Sequence, residues 1–315
     1  MTIAAQRIEQ QTAGRALRGV PGTGRRASEA HPRRQAVMER TILFAIDDDE
    51  MLAAALPVVG AYARRWDAGV RVLHVARPDA PNGAGRRLVT AVVDTLREEG
   101  IAAEGEIRPL GPGDDVGAVV AEAGAHADLV VLGSHGRSEV GALLLGSVGQ
   151  SAASRLEAPM LVLHAPFQPP APAEPRTVLL AVDGSPTSDE AAAEAARVAS
   201  GFGAEVRVLH VVPLATVAAA GVTETDQEAE GILRRGVDAV EAGGARATGE
   251  IVTDPSVAGA IVAAARRHGA DLVVLGSRRP SHLGGLVLGS VGHEVIHQLR
   301  RPVLLARHVR QAAVR

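Results

Sequence analysis

The sequence "DLVVLGS" occupies residues 128–134 and recurs letter for letter at residues 271–277. Its uninterrupted apolar run, bounded by an aspartate and a Gly-Ser pair, is typical of a parallel strand that is covered on both faces. Because the same letters return in the second half of the chain, they predict that one structural unit is present twice.

Two further matches define the extent of these units. "LGSVG" at 145–149 returns at 288–292 with the same spacing as the first match, whereas "RVLHV" at 71–75 returns at 207–211 with a shorter spacing. The second copy therefore contains a short insertion between its "RVLHV" and "DLVVLGS" segments. We assign the first domain to residues 41–164 and the second domain to residues 177–307.

Each copy alternates apolar strands with Ala-rich amphipathic helices. The first strands are "TILFAI" (41–46) and "TVLLAV" (177–182), and the last are "APMLVLH" (158–164) and "RPVLLAR" (301–307). This pattern predicts the α/β class, with two Rossmann-like domains that each hold a five-stranded parallel sheet with helices on both faces.

Composition narrows the range of functions. Apolar residues make up 46% of the chain but aromatic residues only 2%, so the cores are built from Ala, Val, Leu and Ile. A net charge of −3 gives no general attraction to nucleic acid or anionic lipid, and the lack of cysteine excludes disulfides and thiolate metal sites. Without a membrane-spanning apolar stretch or a secretory signal, we expect a soluble cytoplasmic protein that binds neither nucleic acid nor membrane.

Three segments lie outside the two copies. Residues 1–40 carry eight arginines against three glutamates and are predicted to be a disordered basic tail, since a nucleic-acid arm would need interleaved aromatic residues. Met38 is an alternative start of translation to Met1. Residues 165–176 contain five prolines and are predicted to be a stiff linker, and residues 308–315 form a C-terminal tail.

The glycines that follow the repeated strand suggest an anion site. In the first copy the spacing is Gly133-x2-Gly136-x9-Gly146-Ser147, and the last pair opens a predicted helix. Gly133 and Gly136 permit positive φ, so peptide N–H groups between them can turn toward an anion. The helix N-terminus and its serine favour a phosphate in the same place. No Gly-Lys-Ser/Thr follows, so this is not a Walker A loop.

At these residues the chain resembles the universal stress protein family in its tandem form. The resemblance rests on "LLAVDGS", the glycine spacing and the closing strands, and it covers both copies. It implies an adenine nucleotide alpha hydrolase-like fold that binds ATP or another adenine nucleotide, with Mg²⁺ as a possible companion of ATP and no metal ligands of the protein's own. The aspartate after the first strand would lie near the ribose, backbone after the second strand would read the adenine, and the glycine segment would hold the phosphates.

Carried over by position, the resemblance implies one site in each copy. The first site comprises Asp47, Val75, Gly133, Gly136, Gly146, Ser147 and Val148. The second comprises Asp183, Gly184, Ser185, Val211, Gly276, Arg279, Gly289, Ser290 and Val291.

Each copy departs from the family pattern at one place. The first has Asp48, Asp49 and Glu50 where the second has Gly-Ser-Pro, and these carboxylates would repel a triphosphate unless Mg²⁺ intervenes or they face solvent. The second has Arg279 in place of the second glycine, where arginine either clamps a phosphate or spoils the turn. We expect a nucleotide in each copy, and the departures favour the first copy over the second.

Histidines supply two other signals. "HEVIH" (293–297) matches the zinc pattern H-E-x-x-H, but no third ligand stands at a recognisable spacing, so we interpret both histidines as solvent- or interface-facing. His74 and His210 recur at matching strand ends. We interpret this pair as packed or hydrogen-bonded structural histidines and not as catalytic bases.

The resemblance implies a nucleotide-dependent stress-response regulator and not a high-turnover enzyme. The alternatives are a slow Mg²⁺-dependent ATPase and a nucleotide-free scaffold. The closing strands, 159–164 and 302–307, are candidate edges for pairing copy with copy inside the chain and chain with chain in a homodimer.

Overall fold

The computed structural model describes residues 40–47, 51–78, 83–134, 147–164, 172–214, 224–277 and 289–307. The first half of the fold contains β1 (Thr41–Ala45), α1 (Leu52–Trp66), β2 (Gly69–Ala76), α2 (Ala84–Glu98), β3 (Ala103–Pro109), α3 (Val116–Ala123), β4 (Leu129–Ser134), α4 (Ser147–Arg155) and β5 (Met160–His164). The second half contains β6 (Thr177–Val182), α5 (Pro186–Phe202), β7 (Glu205–Pro213), α6 (Asp226–Ala242), β8 (Arg246–Asp254), α7 (Val257–Arg267), β9 (Leu272–Gly276), α8 (Ser290–Gln298) and β10 (Val303–Ala306).

The strands form one ten-stranded sheet in the order β3-β2-β1-β4-β5-β10-β9-β6-β7-β8. Every neighbouring pair is parallel except β5 and β10, which run antiparallel with Leu304 opposite Leu161. The prediction of two Rossmann-like halves with five parallel strands each is confirmed. The predicted pairing of the closing strands inside the chain is confirmed as well.

The structure bears on the route expected for the homodimer, which was pairing of the closing strands between chains. β5 lies between β4 and β10, and β10 lies between β5 and β9, so neither strand keeps a free edge for a second chain. The outer strands of the sheet are β3 and β8. The closing strands therefore pair within the chain, and a homodimer stays a prediction.

Helices cover both faces of the sheet because the strands are apolar on both sides. Ile42 and Phe44 point to the face packed against α1, α2, α5 and α6, whereas Leu43 points to the face packed against α3, α4, α7 and α8. Each buried cluster runs through both halves without interruption. Among the described residues, no helix is both long and apolar enough to span a bilayer.

The two halves also meet through α1 and α5. The ring centre of Tyr62 lies 5.0 Å from that of Trp66 and 4.9 Å from that of Phe202. The guanidinium of Arg197 lies 3.8 Å from the centre of the Trp66 ring and forms a 2.6 Å ion pair with Glu194. These rings are three of the five aromatic residues of the chain, so its scarce large side chains are concentrated where the halves join.

Removing the largest of these rings should destabilise the whole chain. We expect Trp66→Ala to lower the free energy of unfolding by ~3–5 kcal/mol, because Trp66 is buried against both halves. Urea denaturation followed by circular dichroism measures the change. The matched control is Ile251→Thr on β8, which removes an exposed apolar side chain and should change stability by less than ~0.5 kcal/mol. Equal effects of the two substitutions would contradict the assignment of this contact.

The ion pair predicts a pH dependence of stability. Burial raises the pKa of Glu194, although Arg197 opposes the shift. The contribution of Glu194 to the free energy of unfolding is therefore fully present at a pH below the ordinary pKa of glutamate. It is lost as the pH rises through the raised pKa of Glu194 in the folded state. Glu194→Gln should remove that part of the decline in unfolding free energy toward neutral pH, at ~1.4 kcal/mol for each unit of pKa shift. Denaturation of both proteins over a pH series tests this, and parallel stability curves would refute it.

Candidate functional site

The strand order reverses at two places in the sheet, and each reversal opens a crevice at the carboxyl ends of two strands. In the first half the crevice lies between β1 and β4, and in the second half it lies between β6 and β9. Ligands of open α/β sheets bind at this kind of switch point. Asp47 and Gly133 flank the first crevice, and Asp183 and Gly276 flank the second.

The second crevice holds a cavity of about 370 Å³. It brings together six of the predicted site residues of the second copy: Asp183, Val211, Gly276, Gly289, Ser290 and Val291. Apolar side chains from β7, β9 and α7 form much of its wall: Leu209, Leu275, Val257 and Ile261. The cavity therefore combines an apolar pocket with two carboxylates, those of Asp183 and Glu224, and the start of a helix.

The first crevice holds a cavity of only about 90 Å³. It is lined by four predicted residues, Asp47, Val75, Gly133 and Val148. The departures from the family pattern favoured the first copy as a nucleotide site, but the cavity of the second copy is the larger of the two. Ser147, the fifth described residue of the first predicted site, lines an adjoining groove of about 760 Å³. This groove shares Val116 and Val148 with the small cavity, and Ser290 and His293 of the second half also border it.

The carboxylate of Asp183 is fixed by three donors. Its Oδ1 accepts hydrogen bonds from the Ser188 hydroxyl at 2.6 Å, the Ser185 hydroxyl at 2.5 Å and the Ser185 backbone N–H at 3.0 Å. Gly184 supplies the tight turn between strand and helix, with φ of +74°. Gly184 and Ser185 thus support Asp183 without lining the cavity themselves.

One wall of the second cavity is a hydrogen-bonded histidine. Nδ1 of His210 donates to the carbonyl oxygen of Val182 at 2.9 Å, and Nε2 lies 2.7 Å from a carboxylate oxygen of Glu224. In the first half, Nδ1 of His74 bonds the carbonyl oxygen of Ile46 at 3.1 Å. Both histidines are hydrogen-bonded as predicted, and their structural role stays a prediction.

Sequence reasoning missed Glu224. The strands β2 and β7 occupy equivalent places in the two copies, as do the helices α2 and α6. The sequence distance between the two helices is longer than that between the two strands, so most of the insertion of the second copy lies before α6. Glu224 follows that insertion and lines the cavity. The change of repeat spacing was the available signal, but it could not say which side chain of the insertion faces the site.

The glycine at the end of the repeated strand has a different role from the predicted one. Gly133 and Gly276 end their strands without positive φ, contrary to the expected turn at Gly133. A methyl group on Gly276 would lie 2.6 Å from the carbonyl oxygen of Thr187, and one on Gly133 would lie 2.9 Å from Cγ of Met51. Glycine is needed because Met51 and Thr187, at the starts of α1 and α5, approach the ends of β4 and β9 closely.

The predicted helix starts after the glycine segments are confirmed, since α4 begins at Ser147 and α8 begins at Ser290. The first N–H groups of a helix have no partner within the helix and attract anions. No heavy atom of the described residues lies within 4 Å of a methyl group placed on Gly289. Ser290 and Val291 line the second cavity, so this helix start borders it.

Several residues of interest fall elsewhere. Gly136, Gly146, Arg279 and the acidic Asp48, Asp49 and Glu50 lie outside the described residues. The imidazole rings of His293 and His297 are 6.3 Å apart. Within the described parts of the chain, no group of three or more His, Cys, Asp or Glu side chains is placed to hold a metal ion.

Comparison with known proteins identifies the family of this chain. The sequence profile of the Universal stress protein family matches residues 38–164 and 174–307. A universal stress protein of Mycolicibacterium smegmatis is 28% identical over 302 residues, which cover 87% of this chain and 99% of the relative. Universal stress protein Rv2005c of Mycobacterium tuberculosis is 33% identical over 191 residues, which span 58% of this chain and 62% of that relative. The crystal structure of a universal stress protein from Archaeoglobus fulgidus has a TM-score of 0.68 at 21% identity, covering 86% of this chain and 97% of the other.

Fold and site together define a tandem α/β protein with a crevice at the switch point of each half. Because the family profile matches both halves, the chain belongs to the universal stress protein family, in a two-copy form. The match with the tuberculosis relative spans less than two thirds of that protein's length.

The close approach at Gly276 predicts a measurable cost. Gly276→Ala places a methyl group against the backbone of Thr187, so we expect a loss of ~1–3 kcal/mol in unfolding free energy. Gly289→Ala is the matched control, since no heavy atom of the described residues lies within 4 Å of a methyl group placed there and its φ of −49° suits alanine. That control should cost less than ~1 kcal/mol, the scale of a lost helix cap. Thermal or urea unfolding compares the two, and equal costs would show that Gly276 is not sterically required.

Proposed function

We propose that this universal stress protein binds an adenine nucleotide at the carboxyl ends of the switch-point strands and acts as a nucleotide-dependent regulator. The observation that carries the proposal is the cavity of about 370 Å³ beside Asp183 in the second half. Small-molecule sites commonly have volumes from ~300 to 1,000 Å³, with apolar walls and a few fixed polar groups. Membership of the family supports the choice of an adenine nucleotide.

The chemistry of the lining suits the three parts of a nucleotide. The apolar wall formed by Leu209, Val211 and Ile261 matches the faces of a base. The fixed carboxylate of Asp183 can accept hydrogen bonds from ribose hydroxyls, since an ionised carboxylate is an acceptor only. The N-terminus of α8 matches a phosphate.

ATP with Mg²⁺ is part of the proposal for the ligand. Asp183 is the carboxylate at the strand end, and the described residues offer no three-ligand cluster. Mg²⁺ is commonly held through substrate phosphates with only one or two carboxylates. The ion would therefore arrive with the triphosphate, and its main effect would be to relieve repulsion between the phosphates and Asp183.

A regulatory role fits the lining better than rapid catalysis. Phosphoryl transfer requires an oriented nucleophile and cationic groups on the transferring phosphate. Among the described residues that line the cavity there is no Lys or Arg. The carboxylate of Asp183 and both ring nitrogens of His210 are engaged in hydrogen bonds within the protein. Slow ATP hydrolysis and a nucleotide-free scaffold are the alternatives that the following experiment separates.

Calorimetric titration of the full chain with AMP, ATP and Mg²⁺-ATP tests the proposal. We expect saturable binding that Asp183→Asn weakens about 10-fold or more, because a charged hydrogen-bond acceptor is lost. Asp238→Asn, an exposed carboxylate on α6 outside the cavity lining, is the matched control and should leave affinity unchanged. Bound nucleotide at ~100 times its Kd should also stabilise the fold by about 2.7 kcal/mol.

Three results would redirect the proposal. Absence of binding to any of the three nucleotides would leave the scaffold as the function. Formation of ADP in a single turnover of Mg²⁺-ATP, abolished by Asp183→Ala, would favour the enzyme. Equal nucleotide affinities of Asp183→Asn and the wild type would show that Asp183 does not contact the nucleotide.

A further inference from the structure

We infer that only the second half binds a nucleotide, because the chain's own side chains narrow the equivalent crevice of the first half. The inference rests on the proposed function and adds to it which half is used and how many ligands one chain takes. Three differences between equivalent positions of the two halves support it.

The first difference is a pair of apolar residues at the start of α1. In the repeat alignment that places Asp47 opposite Asp183, Met51 corresponds to Thr187 and Leu52 corresponds to Ser188. Met51 is buried, lines the small cavity and lies over the end of β4, with its Cγ 2.9 Å from where a Gly133 side chain would start. Thr187 approaches Gly276 at least as closely, with its carbonyl oxygen 2.6 Å from a methyl group placed there, so the difference between the halves lies in the longer apolar side chain of Met51.

The second difference concerns the strand-end aspartate. Asp183 is held by donors from Ser185 and Ser188. The corresponding residues of the first half are Asp49 and Leu52, and neither side chain can donate a hydrogen bond to Asp47 when Asp49 is ionised. Asp47 therefore lacks the equivalents of the side-chain donors that fix the direction of the carboxylate in the second half.

The third difference is the wall beside the repeated histidine. In the first half α2 packs directly on His74, since a methyl group on Gly85 would collide with the imidazole ring. In the second half the insertion before α6 brings Glu224 to Nε2 of His210, and both residues line the cavity. The helix closes this wall in the first half, whereas a polar pair borders an open cavity in the second.

The volumes agree with these contacts. The first cavity, at about 90 Å³, is well below the ~300 Å³ at which small-molecule sites commonly begin. The second cavity is about four times larger, at about 370 Å³. A nucleotide in the first half would have to displace Met51 and Leu52 from a well-packed core, and such rearrangements are costly.

Binding stoichiometry tests the inference. Equilibrium dialysis of the full chain with labelled AMP, and separately with Mg²⁺-ATP, should give one nucleotide per chain at saturation. Asp183→Asn should weaken this binding about 10-fold or more, whereas the equivalent substitution Asp47→Asn should leave both affinity and stoichiometry unchanged.

A transplant provides the complementary test. The double substitution Thr187→Met and Ser188→Leu places the residues of the first half into the second, and it should lower nucleotide affinity more than about 100-fold by filling the cavity. Thermal unfolding verifies that the variant folds, and if it does not, the Asp183 and Asp47 pair decides the question alone.

The outcomes are distinct. Two nucleotides per chain, or loss of binding in Asp47→Asn with retention in Asp183→Asn, would overturn the inference while leaving the proposed function intact. No bound nucleotide in the wild type would overturn the proposed function and this inference together. Undiminished affinity in the folded double variant would show that the Met-Leu pair does not close a site.

Discussion

The antiparallel pairing of β5 with β10 is the contact on which the rest of the molecule depends. Each strand is almost completely buried and strongly apolar, and an exposed edge of that kind would promote aggregation. Pairing the two closing strands removes both edges at once. It also makes one sheet of the two halves, so that each helical layer packs over a continuous apolar surface that neither half supplies alone.

The same contact frees the carboxyl ends of the other strands for ligand binding. The halves are joined at their closing strands, and α1 and α5 reinforce the join through an aromatic cluster with Arg197. The crevices at β1/β4 and β6/β9 are therefore not required to hold the halves together. Met51 and Leu52 line the first crevice, which holds a cavity of about 90 Å³, whereas Thr187 and Ser188 line the second, which holds one of about 370 Å³. Duplication allows this difference, because stability and ligand binding no longer have to be supplied by the same half.

Much of the fold was predictable because it follows from local patterns. Apolar runs such as "DLVVL" are buried on both sides, and helices must cover them, so the alternation of strands and helices predicts the parallel architecture. The location of the crevices also followed, since ligands of such sheets bind at a reversal of strand order. Asp183, Val211, Gly276 and Gly289 could thus be assigned to one cavity from the repeat, the strand ends and the family resemblance.

The sequence by itself determined that there are two copies, where their strands end and which residues stand at those ends, because these features depend on neighbours along the chain. Only the tertiary structure decided that β5 and β10 pair with each other, that Glu224 reaches His210 and that Met51 lies over Gly133. Each of these contacts depends on how elements distant in sequence pack in three dimensions. A methionine in place of a threonine is a small change in the repeat, but in a close-packed interior its extra volume decides whether a cavity stays open.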